Sequence, residues 1–186
     1  MNSHKSFPLV ETERLLLREI LLEDAADLFG YYNDRLVTQY LDWFGPSSVD
    51  HAKDIITNWS NQFQQGTFMR WGITLKEDKK VIGTILLAPV RGPFEWKLPL
   101  VIGYELSREY WNQGIMSEAV QAAIAFAFDE LGNHRVCAEV FPENTASLRI
   151  LKRLGFQEEG LLKKHLWHEG TKTWHDVITL AVLKNS

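Results

Sequence analysis

The sequence predicts a mixed α+β fold, with a mostly antiparallel sheet and flanking helices, and three observations predict it. Helical spacing of apolar residues dominates the first third, most clearly at Ala52, Ile55, Ile56, Trp59 and Phe63. Short apolar runs separated by polar turns then take over, as in an antiparallel meander. One strand–helix–strand unit near residue 100 interrupts that meander. The 186 residues fit one domain over 1–186, with residues 1–8 as a loose tail.

The elements follow in order. Thr12 to Arg18 reads as the first strand, built on Leu15, Leu16 and Leu17. Glu23 to Phe29 reads as a helix whose acidic start suits the helix dipole. Leu36 to Trp43 is ambiguous between helix and strand. Gly45-Pro46-Ser47-Ser48 is a turn and a helix cap. Gly66 closes the helix that starts there. Phe68 to Leu75 and Lys80 to Ala88 flank the polar turn Lys76-Glu77-Asp78-Lys79, which is a hairpin signal. Arg91 to Trp96 is an aromatic loop and a candidate for substrate contacts. Leu98 to Leu106 is a strand, Ile115 to Leu131 a helix and Val136 to Phe141 a strand. Pro142-Glu143-Asn144 breaks that strand, and Leu148, Leu151 and Leu154 share one face of the helix from Thr145 to Leu154. Gly155 stops it. Phe156 to Trp167 and Thr173 to Leu183 are the last strands, joined by His168-Glu169-Gly170-Thr171.

Composition narrows the function classes. The net charge of −4 argues against general nucleic-acid binding, which needs a basic surface. It allows a cationic substrate. The one cysteine, Cys137, cannot form an internal disulfide and reads as a core thiol. Neither a signal peptide nor a run long enough to cross a bilayer is visible, so the expected location is the cytosol, away from membranes. Seven tryptophans are many for this length, and some should line a surface or pocket.

The stretch Tyr110-Trp111-Asn112-Gln113-Gly114-Ile115-Met116-Ser117-Glu118-Ala119 joins the strand ending at Leu106 to the long helix. The first N–H groups of a helix lack intrahelical partners and carry the positive end of its dipole. Such a turn suits phosphate oxygens, and Gly114 lets a ligand approach closely. Many glycine turns bind nothing, so the turn alone leaves both readings open. It is neither a P-loop nor a GxGxxG fingerprint.

Two segments taken together are more specific. Ile102-Gly103-Tyr104 followed by Tyr110 to Ala119, and Asn144-Thr145-Ala146-Ser147 followed by Leu154-Gly155-Phe156 and Glu159-Gly160, resemble the GNAT superfamily of acetyl-CoA-dependent N-acetyltransferases. Thr12-Glu13-Arg14-Leu15, Asp24-Ala25 and Trp174-His175-Asp176 resemble its branch of ribosomal-protein N-terminal acetyltransferases, the RimJ/RimL type. The resemblance covers residues 9 to 184. It implies a central splayed strand pair, with a slot between strands 101–106 and 136–141. It implies that backbone groups from Gly103 through Tyr104 to Leu106 hold the pantetheine arm as an added strand would. It implies that Trp111, Asn112, Gln113, Gly114, Ile115, Met116 and Ser117 form the pyrophosphate turn. Asn144, Ser147 and Arg149 complete the cofactor contacts, and Lys152 and Arg153 are further candidates for the 3′-phosphate. A solvated basic face is the alternative for those three cations.

The pattern also departs from the superfamily. Trp111 and Met116 replace the usual first and last residues of the turn motif. Val101 stands where many members carry a glutamate, and Leu151 where many carry a tyrosine. Neither can move a proton. An N-terminal α-amine has a reference pKa near 8, against about 10.4 for lysine, and so asks less of a base. That favours a protein N-terminus as acceptor, with a ribosomal protein as the candidate partner.

Ser147 is the candidate general acid, with helix capping as the alternative role. Asn144 reads as cap, ligand or both. Glu105 is the candidate base. Alternation points it away from Tyr104 and Leu106, and a charged residue so placed is expected to face solvent. His165, His168 and His175 read as surface or hydrogen-bonded residues, and no metal is expected. Small-molecule amine acetylation and a noncatalytic acetyl-CoA-binding module are the rival readings. Asp42, Asp50 and Glu95 are too scattered to assemble a polycation pocket. The aromatic loops are compatible with a homodimer.

Overall fold

Local chemistry sets the helix ends. The Ser48 hydroxyl accepts from the His51 N–H at 3.0 Å, and Gly66, at φ +71°, turns the chain out of the same helix. Elements of this kind assemble, in the computed structural model, as β1 (Val10–Glu11), β2 (Leu15–Arg18), α1 (Ala25–Tyr32), α2 (Arg35–Thr38), α3 (Val49–Gln65), β3 (Met69–Leu75), β4 (Gly83–Pro89), β5 (Leu100–Leu106), α4 (Ile115–Asp129), β6 (Arg135–Val140), α5 (Thr145–Arg153), β7 (Gln157–His168) and β8 (Thr173–Leu183). Residues 6–95 and 97–184 are described. The short helix α2 begins at Arg35 and runs into the sequence-ambiguous stretch from Leu36, capped by the Asp34 side chain on Leu36 N–H.

The strands form one eight-stranded sheet in the order β1-β2-β3-β4-β5-β6-β8-β7. All pairs are antiparallel except β5–β6. This is the mixed α+β architecture the sequence predicts. β5 pairs with β4 from Leu100 to Leu106, but with β6 only at Leu100↔Val136 and Val101↔Cys137. β6 stays paired with β8 as far as Val140↔Ile178. The two central strands therefore part after Val101. β7 lies at the edge, and its pairing slips between Glu158 and Gly160 and again between Leu162 and Leu166.

Register sorts the faces. Trp71, Ile85 and Tyr104 lie side by side on one face, and Gly72, Thr84 and Glu105 on the other. The first face shares a core with Ile115, Met116, Ala119, Val120 and Ala123 of α4 and Leu151 of α5. A second cluster joins Ala25, Leu28, Tyr31 and Tyr32 of α1 to Val37 of α2 and Ala52 and Ile56 of α3.

Four expectations change. The tail is not loose where it is described: Phe7 stacks on Phe63 with ring centroids 4.6 Å apart, and the Pro8 carbonyl accepts from Trp71 Nε1 at 2.8 Å. Residues 1–5 of it lie outside the described residues. The first long strand starts at Leu15, not Thr12, because the Thr12 hydroxyl accepts from Leu15 N–H and folds a local turn. Cys137 is half-buried and not sealed in the core; it accepts from Arg135 Nε at 3.2 Å. The loop from Arg91 joins the end of β4 to the start of β5, the end opposite the strand splay. There Phe94 packs on the core, and Glu95 accepts from Asn133. Trp96 lies outside the described residues.

Candidate active site

Where β5 and β6 part, a cavity of about 550 Å³ opens. One wall comes from Leu36, Val37 and the segment Gln39–Leu41. The other walls are β5 from Ile102 to Leu106, the turn before α4, β6 from Ala138 to Phe141, and α5. Every residue proposed as a cofactor contact lines it except Gln113 and the 3′-phosphate candidate Lys152. Gln113 is exposed on the turn and donates its amide to the Glu109 carbonyl at 2.8 Å.

Backbone direction decides which groups of β5 face the slot. Ser107 N–H donates to the Ile82 carbonyl at 2.7 Å, on the β4 side. Alternation then turns the N–H and C=O of Glu105 and Gly103 towards β4, and those of Tyr104 and Leu106 towards β6. Gly103 thus lines the cavity but does not offer its amide to an added strand. The Leu106 carbonyl is already taken by Trp111 Nε1 at 2.8 Å. Tyr104 keeps both backbone groups on the slot side. Trp111 closes the base of the turn.

The turn itself is built for close approach. Asn112 sits at φ +60° and Gly114 at φ +76°, the left-handed region that glycine enters freely and asparagine tolerates. A Cβ on Gly114 would meet only Arg14 Nη2, at 3.4 Å. The first intrahelical bond runs from Glu118 N–H to the Gly114 carbonyl. The N–H groups of Ile115, Met116 and Ser117 therefore stand without helix partners at the positive end of α4. Open backbone donors, two left-handed residues and an unzipped strand pair fit a pantetheine-pyrophosphate ligand.

Ser147 is brought to the slot by α5. Asn144 caps that helix, its side chain accepting from Ser147 N–H at 3.1 Å. Capping thus belongs to Asn144, and the Ser147 hydroxyl is left for Tyr104, whose phenol lies 2.8 Å away. Burial pushes the Tyr104 phenol up to about 12, against a smaller opposing effect of the Ser147 bond. The pair is neutral and protonated at physiological pH. Arg149 and Arg153 line the same mouth, while Lys152 pairs with Glu158 at 3.2 Å.

Glu105 departs from expectation. It is buried, not solvent-facing, and it points to the face opposite Tyr104. Its Oε1 accepts from Thr84 and Tyr32 and from Arg70 Nη1 at 3.2 Å. Arg70 Nη1 also reaches Oε2, at 3.5 Å. Arg70 lies over the Trp59 ring, 4.5 Å from its centroid. Burial pushes the Tyr32 phenol far up, helped by the Glu105 charge. Sequence reading missed this knot of Arg70, Thr84 and Tyr32, because only strand register places Thr84 against Glu105.

The histidines divide. His168 is buried, and its Nδ1 accepts from Gly170 and Thr171 N–H, so the proton sits on Nε2. His165 reaches Glu139 at 3.4 Å, and His175 bonds Thr173. Among the described residues, no cluster of three metal-type side chains occurs, and no helix is long and apolar enough to cross a membrane.

Known proteins share this plan. "Uncharacterized N-acetyltransferase YoaA" of Bacillus subtilis is 36% identical over 181 residues, covering 96% of this chain and 98% of that one. The "[Ribosomal protein uS5]-alanine N-acetyltransferase" of Escherichia coli is 30% identical, covering 92% and 88%. The solved structure of RimL, a ribosomal L7/L12 α-N-protein acetyltransferase in complex with coenzyme A, superposes with a TM-score of 0.81 at 22% identity, covering 95% and 98%. Residues 14–157 match the acetyltransferase (GNAT) domain, and with the split strands and the glycine turn this places the chain in the GNAT family of N-acetyltransferases.

Proposed function

We propose that the protein moves the acetyl group of acetyl-CoA onto the α-amine of a polypeptide N-terminus. The observation that carries the reading is the Tyr104–Ser147 hydroxyl pair, set where β5 and β6 part. The identity to the uS5-alanine acetyltransferase supports a protein acceptor, and Leu36, Val37 and Gln39–Leu41 of the far wall would receive it.

Acetyl-CoA, when bound, supplies an activated thioester. The backbone N–H groups of residues 115–117 hold its pyrophosphate, and Asn144, Ser147 and Arg149 border its arm and phosphates. The Tyr104 backbone positions the pantetheine chain. The acceptor amine attacks the thioester carbon, the C–S bond breaks, and the amide forms. Ser147, backed by the Tyr104 phenol, gives a proton to the departing thiolate and is reprotonated from solvent. Nitrogen loses its proton to water. Glu105 lines the acceptor side of the cavity as a carboxylate already held by Arg70 and Tyr32. It acts by orienting the incoming amine, with Oε2 the less occupied oxygen.

The test is thiol release from acetyl-CoA with free-N-terminus peptides, N-blocked peptides, polyamines and aminoglycosides. Turnover on free peptides that vanishes on blocking is expected. Turnover confined to small amines would overturn the acceptor assignment.

A further inference from the structure

The helix start that faces the slot has a built-in contradiction. Its first turn carries an acid, Glu118. A carboxylate there competes with any external anion for the same positive helix end. The chain occupies that carboxylate completely. Oε1 accepts from the Thr12 hydroxyl and from Arg14 N–H at 2.9 Å. Oε2 accepts from Arg14 Nε at 2.7 Å and lies 2.7 Å from Nη2. Burial pushes the Glu118 carboxyl up, but the bonds from Thr12 and Arg14 outweigh it and hold it below the usual range.

Arg14 does two things at once. Its Nη1 donates to the Gln113 carbonyl at 3.0 Å, fixing the residue before Gly114. Its own carbonyl is held by Lys76 N–H at 3.0 Å, so the sheet anchors it. Of the five guanidinium N–H groups, two remain free of these bonds. Nη2, which carries one of them, lies 3.4 Å from where a Cβ on Gly114 would stand.

We infer that Arg14 is a positioning residue for cofactor binding: it neutralises Glu118 and pins Gln113, leaving the start of α4 with a net attraction for the pyrophosphate. The inference rests on the reading that this turn holds the pyrophosphate of acetyl-CoA. Arg14 lies outside the cavity wall and acts through Glu118 and the turn.

A charge-based role predicts rescue where a purely structural one does not. Calorimetry compares CoA with S-acetylpantetheine, which has no pyrophosphate, on four proteins: wild type, Arg14→Ala, Glu118→Gln and the double variant. Arg14→Ala should weaken CoA roughly five- to tenfold and leave acetylpantetheine unchanged. The double variant should recover most of that loss, because the unpaired carboxylate is gone. Arg14→Lys, which keeps the charge but not the fork, should fall between, and it serves where Arg14→Ala does not fold. A double variant as weak as Arg14→Ala overturns the inference, as does an equal loss for acetylpantetheine. If wild type binds CoA no more tightly than acetylpantetheine, the pyrophosphate reading fails instead.

Discussion

Tyr104 and Glu105 are sequence neighbours on opposite faces of one strand, and they are held in opposite ways. The Tyr104 phenol has a single hydroxyl partner, Ser147, and both groups are neutral. The Glu105 carboxylate is knotted to an arginine, a threonine and two tyrosines, the second of them Tyr31 at 3.4 Å. A lightly held hydroxyl can give up a proton and take it back. A buried, ion-paired carboxylate loses much of its surroundings' stability if it changes charge. One side of β5 is suited to proton transfer and the other to orientation.

Breaking the carboxylate side should have the largest effect. Glu105→Gln leaves Arg70 buried without its counter-charge, and Arg70 Nε already lacks a partner. Unfolding free energy should drop by about 3–5 kcal/mol, read from urea midpoints. A loss of activity at unchanged stability would instead make Glu105 a working base. On the hydroxyl side, Ser147→Ala should lower kcat about 10²-fold with little change in the acetyl-CoA KM or in the melting temperature. Normal turnover would end the acid role.

The turn comes next. Gly114→Ala forces a left-handed alanine beside Arg14 and should weaken CoA about tenfold, since such strain costs about 1–2 kcal/mol. Binding as tight as wild type would show that the turn tolerates a side chain. The smallest effect is on alkaline stability. Burial raises the phenols of Tyr31, Tyr32 and Tyr104, so the native state holds their protons more tightly than the unfolded chain, where tyrosine titrates near 10. Their contribution is complete below pH 10 and is lost as pH rises through the native values. Urea midpoints should therefore be flat from neutral pH up to about pH 10 and fall above it. Tyr104→Phe should flatten part of that fall.

Backbone-driven features were legible in the sequence. Ser48 and Gly66 mark a helix at both ends, and Gly114 marks the turn, because each acts within a few residues of itself. The resemblance located Ser147 and Asn144, but only the folded geometry divides the cap from the hydroxyl. Side-chain constellations were not legible. Arg14 meets Glu118 across 104 positions, and Arg70 meets Glu105 across 35. Those meetings depend on register and packing, which no local pattern encodes. The faces of β5 lay between these cases: alternation separated Tyr104 from Glu105, but not which of them would meet water.

The slips in β7 carry a consequence for how copies of this protein meet. Strand edges are templates, and a straight one invites a neighbour to dock backbone to backbone. This edge is broken twice in register, holds Lys164 at φ +48°, and carries Glu158, Glu159, Lys163 and Lys164 along its length. Another copy cannot extend the sheet across it without burying those charges. The exposed Leu161, Leu162 and Trp167 are thereby kept from seeding fibrous growth, and concentrated solutions should stay free of edge-to-edge aggregates.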